Sequence, residues 1–598
     1  MTQDNPALIA RLAQSDRPLT HVLTWIVPLA CVALGTLSLI SIVGPGDGTW
    51  ILYARQMADG KRLYSDLGLN QQPIFPLLSL FAAKLSSGGI LGDKAVFFGL
   101  LLTHVLLVHA NARRIADGPW RCATLTAAIF VTAIHFEAFR YDDYHALAQS
   151  AVLASFYCSL RFIDGDLGAR HFAMLQGGLT ALAFLTRVNE GAAIGGAAAL
   201  IMLSSGVPLP RKGRMLAVSA CSGILVFALT MLVIGETPLV WFNQTLVQAS
   251  GAKGGGSLLS HPGMAVMNAF AFMVPSNFGR RAIALFALAL LASTFLLLRR
   301  TREGRLPIYI PVLVGALGFG ILSLGYVSDP LVTLTALALL MSVAAVLLLA
   351  SGMVKQWQLD RRPLATVLRM AGYPLLLFCM ASLSTGGEIR GLSFPLAISL
   401  LTGALALARP RERARSAAST IFYTILLLTG VSGLSFRWND PFSWLDYRVP
   451  PLLTDYVTVN DARHGPHLLP RETRDLVVPV CRIVEPGQSM LSLPYSFANY
   501  YCRIPLWQGQ VQSFFDTSTA VQVDQIAGGL TQSPPQYIFY QRQPHTLALH
   551  EKLFNQGRPL AHRRLDRIII DKVASGRWKV VYRSQAFAPS RWYLIRTS

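Results

Sequence analysis

Apolar runs of roughly 20 residues recur from residue 22 to residue 434, and beyond that the pattern stops. Thirteen can be marked, at 22–43, 92–110, 120–138, 144–162, 171–187, 190–206, 214–234, 281–298, 306–326, 331–350, 364–384, 392–408 and 417–434. Each suits a helix crossing about 30 Å of hydrocarbon. The pair 171–187 and 190–206 also reads as one broken helix. Two shorter patterns follow the first run. Trp50, Tyr53, Ala54 and Met57 fall at helical spacing and predict an interfacial helix over Thr49–Asp59. The stretch Ile74–Leu85 is apolar but short for a crossing, and predicts a second one. From residue 436 to 598 the chain is polar. There Trp578–Tyr582 and Trp592–Ile595 suit strands and Leu547–Gln556 suits a helix, the makings of a small α/β or α+β domain.

Composition agrees with that pattern. Of 598 residues 53% are hydrophobic and only 14% charged, against about a quarter charged in ordinary soluble domains. The fold class expected is a polytopic α-helical membrane protein of about 13 transmembrane helices. Residues 1–435 form its membrane domain, and residues 436–598 a soluble C-terminal domain. The first run is followed by Gly44-Pro45-Gly46-Asp47-Gly48 rather than a small-residue cleavage site, so it reads as a retained span.

The net charge of +21 is distributed by side. Arg113, Arg114 and Arg121, then Arg161 and Arg170, then Arg211, Lys212 and Arg214 mark alternate loops. Arg299, Arg300, Arg302 and Arg305, then Lys355, Arg361 and Arg362, and Arg409, Arg411, Arg413 and Arg415 continue the series. With a cytoplasmic N-terminus all these loops lie inside, as the positive-inside rule requires. An odd span count then leaves the tail outside. The expected location is a bacterial inner membrane with the C-terminal domain in the periplasm. Nucleic acid is not an expected partner, because no soluble basic domain carries a binding motif. Cys481 and Cys502 are the two cysteines of the polar tail, and an extracytoplasmic tail would allow them to pair.

Candidate chemistry gathers in the outer loops. Asp47 stands between glycines just past the first span, either as a general base at the membrane face or as a helix cap. Asp142 and Asp143, flanked by Arg140, Tyr141 and His145, make a second polar cluster between two spans. It is suited to catalysis, to sugar hydroxyls or to a divalent cation, or else is a solvated turn. Arg140, Arg187 and Arg390 sit at outer span ends, against the charge rule. Arginine matches a lipid phosphate with two parallel hydrogen bonds. The alternative is a structural ion pair, Arg187 with Glu190 or Arg390 with Glu388. Tyr64, Asp66, Asn70, Gln71 and Gln72 offer hydroxyl, carboxylate and amide groups for sugar recognition. Gly251–Gly256 reads as a mobile lid or a plain connection. In the tail, Tyr500, Tyr501, Trp507 and Trp592 would either stack on sugar rings or form the core.

The order Asp47-Gly48, Tyr53-Ala54-Arg55, Gly60-Lys61-Arg62-Leu63-Tyr64-Ser65-Asp66, Gln71-Gln72-Pro73 resembles the GT-C superfamily of membrane glycosyltransferases. Within it, the chain is most similar to the dolichyl-phosphate-mannose-transferase-like group, related to aminoarabinose transferases of lipid A. The resemblance covers about the first 200 residues with some specificity. It implies transfer of a sugar from a polyprenyl-monophosphate donor to an envelope glycan, glycolipid or protein on the outer face, in contact with the lipid bilayer. It places Asp47 at the first-loop catalytic aspartate and Asp142 or Asp143 at a second acidic position. Where the aminoarabinose transferases carry Lys-Pro-Pro this chain has Gln71-Gln72-Pro73, one positive charge fewer. The chemistry is coherent on its own terms. An oxocarbenium-like centre forms as the lipid phosphate leaves, arginine stabilises the phosphate, and Asp47 takes the acceptor proton. A monophosphate leaving group beside basic residues needs no obligate cofactor, with a divalent cation left as an option. Two readings compete: a transporter or flippase for polyprenyl-linked glycans, and a non-enzymatic envelope assembly protein.

Overall fold

The computed structural model describes Trp25, Leu29 and Val32, residues 48–85, 90–115, 144–248 and 361–384, and Ile398, Leu401, Thr402 and Leu405. It further describes 455–461, 465–515, 518–555, 557–584 and 591–597. The expected spans at 120–138, 281–298, 306–326, 331–350 and 417–434, and the Gly251–Gly256 segment, lie outside the described residues, as do most of 22–43 and 392–408.

The two short helices of the first loop form where their spacing places them, α1 over Thr49–Ala58 and α2 over Ile74–Leu85. Longer apolar helices follow: α3 (Ile90–Ile115), α4 (Tyr144–Ile163), α5 (Ala169–Phe184), α6 (Val188–Ser204) and α7 (Leu209–Ile234). A short α8 (Pro238–Phe242) runs into a π-helical turn, and α9 spans Arg361–Ser384. The doubtful pair 171–187 and 190–206 is two helices, α5 and α6, packed on each other.

Among the described residues α7 is the one helix long and apolar enough to cross a membrane by length and composition together. It exposes Ile224, Leu225, Leu229, Leu232 and Val233. A row of large aliphatic side chains left uncovered costs little only where the surroundings are hydrocarbon, so this face marks a membrane location.

Helices in lipid gain little from hiding apolar surface from one another, and hold together by close approach and internal hydrogen bonds. Both are present. A Cβ on Gly177 of α5 would lie 2.0 Å from the Ser219 carbonyl oxygen of α7, so glycine lets the two backbones touch. Deeper in, Tyr373 of α9 is fully buried and its hydroxyl meets Ser155 Oγ at 2.6 Å and Ser159 Oγ at 2.8 Å, both on α4. Gln176 of α5 closes the network, donating to the Ser155 carbonyl and to Ser159 Oγ. Arg114 bridges Asp164 and Asp166, tying the end of α3 to the loop after α4.

The C-terminal region is built differently. The antiparallel hairpin β1 (Tyr456–Asp461) and β2 (Gly465–Pro470) leads into α10 (Arg471–Ile483). Then come β3 (Met490–Leu493), α11 (Phe497–Cys502), α12 (Ala520–Gln532), β4 (Tyr537–Arg542), α13 (Pro544–Phe554) and α14 (His562–Ala574). Strands β5 (Lys579–Arg583) and β6 (Arg591–Arg596) complete a four-stranded sheet of order β3-β4-β6-β5. Among the described strands of this sheet β3–β4 is the parallel pair, and β4–β6 and β6–β5 are antiparallel. Cys481 and Cys502 are joined as a disulfide linking α10 to α11. Tyr500, Tyr501, Trp507 and Trp592 are buried, so they serve as core and not as exposed stacking platforms.

One apolar cluster crosses from the first loop into this region. Ile51, Tyr53, Leu63, Tyr64 and Leu67 share it with Leu476, Val480, Tyr500, Tyr501 and Trp592, and with Met231, Ile234 and Trp241 near the end of α7. The first loop is therefore an interior layer between the end of an apolar helix and the C-terminal sheet.

Candidate functional site

That layer is the candidate site. It begins at Gly48, whose φ of +84° suits glycine and whose side-chain direction is closed. A Cβ there would stand 2.3 Å from Tyr500 Cγ. The residue following Asp47 is thus pressed against the C-terminal region. Helix α1 then buries Ile51, Leu52, Tyr53 and Ala54 and lays the Arg55 guanidinium over the Tyr500 ring, 5.3 Å from its centroid.

After α1 the chain turns tightly. Asp66 Oδ2 accepts the Arg62 backbone N–H at 2.7 Å, and the Arg62 side chain lies beside it. The backbone hydrogen bond, helped by the guanidinium, holds the Asp66 carboxyl below the usual carboxylate range. Asp66 is solvent-exposed, and its role on this geometry is to close the turn. Tyr64 points inward with no exposed surface, and its hydroxyl donates to the Gln71 carbonyl at 3.1 Å. Burial, with the nearby Glu236 carboxylate, pushes the Tyr64 phenol well above its ordinary value, so it stays a neutral donor. Burial likewise raises Tyr53, partly offset by Gln512.

Three long-range hydrogen bonds hold the second half of the loop. Gln72 Oε1 accepts from Trp241 Nε1 of α8 at 3.0 Å. Gln71 Oε1 accepts from Gln512 Nε2 of the C-terminal region at 3.4 Å. The Ile74 N–H donates to the Leu185 carbonyl at the end of α5. Asn70 is buried, yet its Oδ1 has no hydrogen-bond partner among the described residues. Nine-tenths or more of buried polar atoms do have one. Arg187, which begins α6, forms a largely buried ion pair with Glu190 one turn on.

Below the loop an apolar groove of about 390 Å³ runs between α5, α6 and α7, lined by Gly177, Thr180, Gly195, Met202, Gly223 and Phe227 among others. Phe184 and Phe227 at its edge contact the Trp241 ring at 5.9 and 5.0 Å. The groove is therefore continuous with the Trp241–Gln72 contact.

The sequence-predicted residues divide accordingly. Tyr64, Gln71 and Gln72 come together in the layer, Asp66 lies on its exposed rim, and Arg187 is paired nearby. Asp47, Arg140, Asp142, Asp143 and Arg390 lie outside the described residues. His145 lies in α4 with its side chain undescribed. Sequence reasoning missed Glu236, Trp241 and Gln512, and read Tyr500 as a tail aromatic without placing it against the first loop. One signal was available for Glu236, an acidic residue following a glycine at the end of an apolar run, as Asp47 does.

No protein-family model and no curated protein matches the chain. Among solved structures it is similar to ArnT from Cupriavidus metallidurans bound to undecaprenyl phosphate. The identity is 14%, the TM-score 0.40, and 96% of this chain and 98% of that one are covered. It is also similar to the archaeal oligosaccharyltransferase AglB from Archaeoglobus fulgidus, in complex with an inhibitory peptide and a dolichol phosphate. There the identity is 12%, the TM-score 0.44, and coverage 87% and 69%. Likeness at this level assigns no role to any residue.

Proposed function

We propose that the protein is an inverting glycosyltransferase that moves a sugar from a polyprenyl-monophosphate carrier to an envelope glycan, glycolipid or protein at the outer face of a bacterial inner membrane. The observation that carries this reading is the position of the first loop. Its apolar side chains pack between the end of an apolar helix and the C-terminal α/β region, and it carries the amides of Asn70, Gln71 and Gln72 into that layer. That is where a lipid phosphate and a water-soluble acceptor can meet.

Asp47 is the general base, taking the acceptor hydroxyl proton as the bond to the anomeric carbon forms and the bond to the lipid phosphate oxygen breaks. Arginines at the outer span ends, Arg140, Arg187 and Arg390, stabilise the departing phosphate. Asp142 or Asp143, with His145, orients the acceptor. Tyr64, Gln71, Gln72 and Asn70 shape the sugar subsite, with Asn70 Oδ1 as the acceptor atom that a sugar hydroxyl would satisfy. The groove between α5, α6 and α7 suits the carrier's hydrocarbon tail, since it is apolar and meets the loop at Trp241. No obligate metal is invoked. The Cys481–Cys502 disulfide supports an oxidising compartment for the C-terminal domain.

Mass spectrometry of envelope glycans from cells with and without the protein tests the proposal. Loss of one sugar substituent, with accumulation of its polyprenyl-phosphate donor, is the expected result. An unchanged glycan profile with the carrier redistributed between leaflets would support a transporter instead.

A further inference from the structure

Glu236 is a buried carboxylate just past the αL glycine that ends α7. It lies far in sequence from the first loop, yet all three described hydrogen bonds of its carboxylate go there. Its Oε1 accepts the backbone N–H groups of Tyr64 at 2.9 Å and Ser65 at 2.8 Å. Its Oε2 accepts the Ser65 hydroxyl at 2.8 Å. Two successive backbone amides aimed at one oxygen form a concave anion site, here filled by a side chain of the same protein. Five residues on, Trp241 holds Gln72. The segment 236–241 thus grips the loop at both ends of the Tyr64–Gln72 stretch.

We propose that Glu236 is a positioning residue for sugar transfer: it fixes the Tyr64–Ser65 turn so that the first loop presents the polar groups of Tyr64, Asn70, Gln71 and Gln72 in one geometry. This rests on the glycosyltransferase reading. The role belongs to its hydrogen-bond geometry and not to its charge. Glutamine can keep the Oε1 contacts to both amides and donate from its amide nitrogen to Ser65 Oγ, so it can replace glutamate. Alanine cannot. A misplacement of about 1 Å at a reacting group costs on the order of a hundredfold in rate.

The test uses the full-length protein in lipid nanodiscs with a polyprenyl-phosphate sugar, and reads kcat and KM per folded enzyme. Glu236→Ala should lower kcat about a hundredfold with KM for the donor within about twofold, and Glu236→Gln should recover activity to within about threefold of wild type. Ser65→Ala, which removes one contact of three, should cost a few-fold and guards against an unfolded Glu236→Ala. Hydrogen exchange supplies a readout independent of turnover. The amides of Tyr64 and Ser65 should be protected in wild type and in Glu236→Gln, and exchange faster in Glu236→Ala. Wild-type kcat in both Glu236→Ala and Ser65→Ala, or a Glu236→Gln as inactive as Glu236→Ala, would overturn the proposal. If wild-type protein transfers no sugar while the amides behave as described, the latch stands and the glycosyltransferase reading fails.

Discussion

The packed apolar helices and the layer around the first loop are held together by different means. Between α4, α5, α7 and α9 the ties are neutral and short: a glycine that lets backbones touch, and a hydroxyl–amide network around Tyr373. Around the first loop they are longer in sequence and partly charged: a carboxylate on two amides, a guanidinium over a tyrosine, amide-to-indole and amide-to-amide hydrogen bonds, and a disulfide nearby. Lipid removes the hydrophobic drive between helices, and leaves close approach and satisfied polar groups as the specific glue. Around the first loop an apolar core forms, and the polar contacts over it are free to set the shape of a site. The first region therefore fixes a scaffold, and the second fixes a geometry.

The sharpest way to break this contrast is Gly177→Ala. Its methyl would fall on the Ser219 carbonyl, so α5 and α7 must separate. Overpacking of this kind costs about 1–3 kcal/mol or more. A fall in apparent melting temperature of roughly 1–3 °C is expected by light-scattering-monitored unfolding. An unchanged melting point would show that the helices are not in backbone contact. A comparable loss confined to the other region should follow Cys502→Ser. Closing a loop with a sequence separation of 21 is worth about 3 kcal/mol. Limited proteolysis should then open residues after 455 while leaving the membrane fragment resistant.

The smallest effect concerns the exposed Asp66 turn. Its folded carboxyl titrates below the ordinary value because the Arg62 amide donates to it. The turn's added stability is therefore complete above the usual carboxylate range, and is lost as pH falls through the lowered value. Amide exchange at residues 62–66, corrected for its intrinsic pH dependence, should show protection lost only in strong acid. Asp66→Asn should weaken it at neutral pH.

The same contrast explains what could be read from the sequence. Local periodicity carried the first-loop helices, the α4–α7 runs and the two late strands, because each depends on spacing within a single element. The ion pair of Arg187 with Glu190 was legible because the two stand one turn apart. Glu236, Trp241 and Gln512 were not legible, since their partners in the loop are 172, 169 and 441 residues away. Pairings of that range leave no local pattern. The tail aromatics were open between stacking and core, because composition alone does not say which face of a ring is covered.

The central claim is that Asp47 deprotonates the acceptor while a polyprenyl phosphate leaves. Its most direct test is release of polyprenyl phosphate by purified protein in nanodiscs, with donor and extracted envelope acceptor, for wild type and for Asp47→Asn. The account predicts rapid, acceptor-dependent release by wild type, and a rate at least about a hundredfold lower for a folded Asp47→Asn that still binds donor. Equal rates for the two proteins would contradict it.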